Sequence, residues 1–163
     1  MTSHRILVVL LFLWCAAIAV TPMLSSGGGF PSQVAGASYA FFSHVCHQFD
    51  SCSFHVDGYK FPVCIRCMSI YASFFVGVLC FPAMKRVWQR ELPAAKLLAV
   101  AVIPMVADVS FSLCGIHESN DWTRLVTGAV FGLISSFVLA PILEDAIRLL
   151  LVRTVTGRTS AST

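Results

Sequence analysis

Residues 63–84 read VCIRCMSIYASFFVGVLCFPAM, with a single charged side chain, Arg66, in the whole stretch. A run of this length and apolarity matches the roughly 20 residues a helix needs to cross the hydrocarbon core of a bilayer. Three further runs share the property, over 6–24, 94–114 and 122–143. The whole 163-residue chain agrees: 57% of it is apolar and 12% charged, with a mean hydropathy of +0.81. A soluble domain carries about 25% charge and about 45–50% apolar residues, so a soluble enzyme and a disordered tail are both excluded. The net charge of +3 supplies no basic field for a nucleic acid. The expected fold is all-α: one integral membrane domain over 1–163, built as a four-helix bundle with a short interfacial helix. A Cys/His-rich outer loop over 39–67 completes it.

The first run follows Met-Thr-Ser-His-Arg, as a signal peptide would. It exceeds the usual apolar core of a signal, and no small-x-small cleavage site follows, so a retained helix is expected. Pro104 and Pro141 fall inside helical patterns, where proline kinks the backbone. The fourth run continues amphipathically to Arg153, with Glu144 and Arg148 spaced for an i,i+4 pair. Ser25 to Ser38 reads as a loop entering a short helix over Tyr39–Cys46, whose Phe41, Phe42 and Val45 rest on the bundle or the interface. Gly128, Gly132 and Ser136 form a small-residue stripe suited to close helix packing. Of the 11 basic residues, only Lys60, Arg66 and Arg124 lie at the outer ends of the spans. The positive-inside rule then places both termini in the cytoplasm, and Trp122 and Tyr39 fit an interfacial aromatic belt.

The outward connection concentrates the chemistry. Cys46, Cys52, Cys64, Cys67, His44, His47 and His55 account for seven of the chain's twelve Cys and His residues. Cys64 and Cys67 share one helical face, a spacing that can grip a tetrahedral metal or close a reactive disulfide. Adding Cys46 and either His47 or His55 completes a Cys3His set. Thiolate and imidazole ligands suit zinc, with iron as the alternative. A structural disulfide remains open, since an oxidising outer compartment permits one, and Cys46 could pair with Cys67 or with Cys52. Cys15, Cys80 and Cys114 lie within spans and read as small buried hydrophobes.

Polar groups beneath the outer surface form a second set. Asp108 sits roughly 10 Å of helical rise below Gly115, with Ser112 one turn outward. Burying its carboxylate costs about 2.5–3.5 kcal/mol on insertion scales. It is therefore a functional candidate, or else the partner of Arg66 or Arg124. The third connection carries His117 and Glu118, a possible ligand and acid/base group, while Ser119, Asn120 and Asp121 suit the start of the fourth helix. Asp108, Glu118 and Arg124 are the candidate catalytic groups.

With these residues in view, the sequence resembles a prokaryotic membrane family catalogued as domain of unknown function 2085. The resemblance rests on Cys46-His47-Gln48, on Ser53-Phe54 with Gly58, and on Val63-Cys-Ile-Arg-Cys67 with Ile70-Tyr71. Asp108, Glu118-Ser-Asn120, Leu125, Thr127-Gly128 and Phe131-Gly132 add a second block. Cys52 stands where the family usually has Arg and Ser69 where it usually has Gly, which sets Cys52 apart from a shared site. The resemblance implies a small multi-pass protein of the prokaryotic cytoplasmic membrane with a Cys/His site, and no particular reaction.

Three readings of function follow. In the first, an outward-facing zinc site is structural, or polarises a membrane-accessible, lipid-like substrate. In the second, Cys64 and Cys67 exchange disulfides with a quinone as electron acceptor, and Arg66 lowers a thiol pKa. In the third, the protein is a non-catalytic subunit or assembly factor, with a membrane partner protein or a second copy of itself.

Overall fold

The computed structural model describes residues 2–88, 94–114 and 120–160. Five α-helices dominate: α1 Thr2–Ser25, α2 Phe30–Phe42, α3 Ile65–Trp88, α4 Ala94–Leu113 and α5 Asp121–Ser160. Between α2 and α3 lie a 3-10 turn at Asp50–Cys52 and two short strands, β1 His55–Val56 and β2 Tyr59–Lys60. Among the described residues three helices are long and apolar enough to cross a membrane: Thr2–Ser25, Ile65–Ala83 and Asp121–Arg153. Their apolar side chains face outward. Val9, Leu10, Phe12, Leu13 and Met23 of α1 are each more than half exposed, a surface that water would not tolerate and lipid tails would.

The helices alternate in direction. Leu7, early in α1, packs with Val78 and Phe81 late in α3. Ile18, late in α1, packs with Val63 and Cys64 at the start of α3. α1 and α3 are therefore antiparallel, and His4 facing Glu144 at 2.8 Å fixes the start of α1 beside the far part of α5. α5 runs parallel to α3 at very close range. A Cβ on Gly128 would lie 2.7 Å from the Arg66 carbonyl, and one on Gly132 would lie 2.9 Å from the Ile70 Cα. Only glycine admits that approach, so the small-residue stripe has the packing role its spacing suggests. α4 packs on α5, and its Asp108 reaches Arg66.

Several local expectations need correction. The loop over 25–38 shrinks to residues 26–29, and the short helix occupies Phe30–Phe42 rather than Tyr39–Cys46. Pro31 stands in its first turn, where a missing N–H costs nothing and the ring presets φ, and Gly29 adopts φ +72° to turn the chain. The connection that follows is not all helix and loop. Asp57 and Gly58, at φ +52° and +83°, form the turn of an antiparallel hairpin in which Val56 pairs with Tyr59. An Asp-Gly pair is the sequence signal for such a turn. Glu144 faces His4 and not Arg148. Tyr39 is half-buried, its hydroxyl donating to the Lys60 carbonyl, whereas Trp122 is well exposed. His117, Glu118 and Ser119 lie outside the described residues, as does the side chain of Ser112.

Candidate metal centre

The first turn of α3 organises the site. Its N-terminal N–H groups lack helical partners and carry the positive end of the helix dipole. Cys64 stands just before the helix, and its Sγ accepts the N–H of Cys67 at 3.5 Å, as a serine cap would accept one. Cys46 arrives from the turn after α2, and its Sγ accepts the Cys64 N–H at 3.2 Å. The sulfurs of Cys46, Cys64 and Cys67 all lie within 4.8 Å of one another. All three cysteines are free, as are the chain's other four. Cys46 and Cys64 are buried beside Ile18, Phe42 and Val63, with Cys52, Trp14 and Tyr71 packed around them.

Shared protons polarise the cluster. Thiol hydrogen bonds from Cys64 and Cys67, then N–H groups of Cys64 and Gln48, hold Cys46 well below the ordinary thiol range. The Cys64 thiol is pushed up, first by donating to Cys46. Three sulfurs that crowd one centre at the start of a helix form a donor set that a thiophilic ion could use. Zinc–sulfur bonds of about 2.3 Å would set tetrahedral sulfurs about 3.8 Å apart, within the spread observed here.

The two expected histidine ligands sit differently. His47 Nδ1 accepts the Phe49 N–H at 3.1 Å, and its ring lies 4.5 Å from that of Phe49. A neutral ring accepting at Nδ1 carries its proton on Nε2, so His47 must turn to ligate. His55 Nε2 faces Asp50 at 3.3 Å. No imidazole nitrogen among the described residues joins the three sulfurs.

Gln48, which spacing rules did not single out, holds the cluster together. At φ +52° its Nε2 donates to the carbonyls of Tyr39 and Pro62, both at 2.8 Å. One amide thereby joins the end of α2 to the approach to α3. Lys60 Nζ donates to the Gln48 carbonyl at 3.1 Å. The Cys-His-Gln order held the only hint: a polar residue two positions from a candidate ligand.

Arg66, between Cys64 and Cys67, pairs with Asp108. The side chains are 18% and 9% exposed, so the buried carboxylate in α4 is matched by a cation, as buried charges usually are. This is the pairing alternative expected for Asp108. Arg124 lies in the first turn of α5, whose Asn120 carbonyl accepts the Arg124 N–H at 3.1 Å.

The family described as predicted membrane protein (DUF2085) matches residues 46–138, more than half of the chain. An uncharacterised protein of Methanocaldococcus jannaschii is 36% identical over 109 residues, covering 67% of this chain and 70% of that relative. Another, from Methanothermobacter thermautotrophicus, is 34% identical over 110 residues, covering 65% of this chain and 93% of its own length. No solved structure matches the chain. The matched stretch begins at Cys46 and encloses the three cysteines, Gln48, the Arg66–Asp108 pair and the glycines that seat α5.

Proposed function

This chain belongs to the DUF2085 family of predicted membrane proteins, and from that premise we propose that it carries one thiolate-bound metal ion, zinc in preference to iron, at the hairpin end of its helices. Cys46, Cys64 and Cys67 are the protein ligands. The observation that carries the reading is the convergence of three sulfurs within 4.8 Å, drawn from a turn and a helix start that the chain keeps 18 residues apart. The fourth position goes to water, to a substrate atom, or to His47 after its ring turns. In that layout the ion staples the hairpin connection to α3 and can polarise an oxygen atom brought to it. Asp108 then serves by holding Arg66. The proposal includes α4 as the fourth span and both termini on the cytoplasmic side, supported by the alternating helix directions and the basic residues at the opposite end.

Metal analysis of detergent-purified protein should return about one zinc per chain under tetrahedral coordination, and chelation should lower the melting temperature. Metal-free protein whose melting is unchanged by added zinc would overturn the reading. A mixed disulfide trapped at Cys64 or Cys67 would replace it with thiol–disulfide exchange. A C-terminal tag shielded from the outside in intact cells, with Cys52 open to an impermeant thiol reagent, checks the orientation.

A further inference from the structure

On the other side of Gln48 from the cysteines lies a cleft of about 550 Å³ between α2 and the β-hairpin. That volume is typical of small-molecule sites, about 300–1,000 Å³. The α2 wall is one helical face, Ser32, Ala35, Gly36 and Tyr39. The opposite face of α2 exposes Phe30, Val34 and Phe41, which sets the helix at a boundary between lipid and water. Gly36 leaves the wall open: no heavy atom lies within 4 Å of a Cβ placed there.

The facing wall supplies the free hydrogen-bond donors, from Lys60 and Tyr59. Lys60 lines it together with His55 and Tyr59. The Lys60 ammonium gives one proton to the Gln48 carbonyl and keeps two others. Asp50, also in the lining, is the one carboxylate, and it is taken up by His55 Nε2 at 3.3 Å. The hydroxyls of Ser25, Ser32 and Tyr39 donate to backbone carbonyls, which leaves a fixed ammonium and the Tyr59 hydroxyl, with the lone carboxylate already engaged, to meet an oxyanion with several acceptor atoms. The cleft is much larger than the anion alone, so it also has room for the group the anion is attached to.

We propose that the cleft between α2 and the hairpin binds a phosphate-bearing ligand, with the Lys60 ammonium and the Tyr59 hydroxyl on the phosphate and Gly36 leaving room for its organic part. The shared chemistry has two sources at this level of a membrane, a phospholipid headgroup and a free phosphate ester. The site stands apart from the metal centre and does not depend on it.

The test uses full-length protein in detergent and in vesicles, with metal content measured throughout. Inorganic phosphate and glycerol 1-phosphate are titrated by calorimetry in detergent. Thermal melting is then compared in phosphatidylcholine vesicles with and without phosphatidylglycerol. Saturable binding is expected, weakened about tenfold by Lys60→Met, as loss of one charge-assisted hydrogen bond implies. Gly36→Leu should abolish it by filling the cleft; leucine is a better helix former there than glycine, and this variant leaves the Lys60–Gln48 contact alone. Binding of the soluble phosphates names the free ester, and stabilisation by phosphatidylglycerol alone names the headgroup; either supports the site. Wild-type protein indifferent to inorganic phosphate, glycerol 1-phosphate and phosphatidylglycerol, or both variants binding as wild type, overturns it. Metal content unchanged in Gly36→Leu separates this outcome from any failure of the metal reading.

Discussion

The two ends of the helices are closed by different means. At one end Leu7, Val78, Phe81, Phe137 and Ala140 pack as an apolar cluster, with the His4–Glu144 pair beside it. At the other, four cysteines, Cys46, Cys52, Cys64 and Cys67, stand among the apolar side chains of the cluster, and a single amide, Gln48, spans two carbonyls. The first kind of contact is non-directional, and shapes of similar volume can substitute for one another. The second is directional, and each partner lost leaves another buried group unsatisfied. The difference teaches where exchanging a side chain costs most: at the end whose contacts are directional, which is also where the family match begins.

The contrast is sharpest at the sulfurs. Cys64→Ser should reduce bound metal from one ion per chain to nearly none. It should also destabilise by several kcal/mol, because binding free energy of a thiolate site is folding free energy. Elemental analysis and melting of the same preparation check both effects. Asp108→Asn comes next, at about 3–5 kcal/mol, since it leaves the Arg66 guanidinium buried and uncompensated. The paired change Arg66→Met with Asp108→Leu should recover most of that loss. If Asp108→Asn melts like wild type, the ion pair is not what matches the two charges.

Gln48→Ala is expected to be smaller in stability, about 1–3 kcal/mol for two carbonyls that lose their donor. Its distinctive effect is on the metal. Loss of an outer-shell group that orients ligands weakens metal affinity by about 10–100-fold, so competition with a chromophoric chelator should show the drop while stoichiometry at saturating zinc stays at one. Unchanged affinity would reduce Gln48 to a loop contact.

The parts legible from sequence were those written in short periods. The apolar runs marked the helices, the i,i+3 spacing put Cys64 and Cys67 on one face, and the four-residue stripe foretold the Gly128 and Gly132 contacts. What escaped depends on partners distant in the chain. Asp108 had two arginines within plausible reach, and its pairing with Arg66 depends on how α3 and α4 come together, which no local pattern gives. The role of Gln48 needs the Tyr39 and Pro62 carbonyls to be neighbours, which no local pattern announces. The hairpin is a different case: Asp57-Gly58 carried its signal, and its strands of two residues were too short to show alternation. Phe30–Phe42 was hidden by Gly27–Gly29 and Pro31, read as loop formers when Pro31 is in fact a helix starter.

The smallest effect belongs to the aliphatic end. Leu7 packs against Val78, Phe81 and Phe137, and Leu7→Met keeps nearly the same volume with a more adaptable shape. The expected cost is under about 1.5 kcal/mol. The rise along α3 from Cys64 to Val78 is about 21 Å, well beyond the roughly 7–10 Å over which substitutions usually couple. Zinc affinity of Leu7→Met should therefore equal that of wild type, and its small loss of stability should add to that of Gln48→Ala in the double variant. A tenfold change in zinc affinity from so remote a methionine would break the comparison. It would mean that α1, which touches both clusters through Leu7 and Ile18, transmits strain along its length, and that the two ends form one cooperative unit.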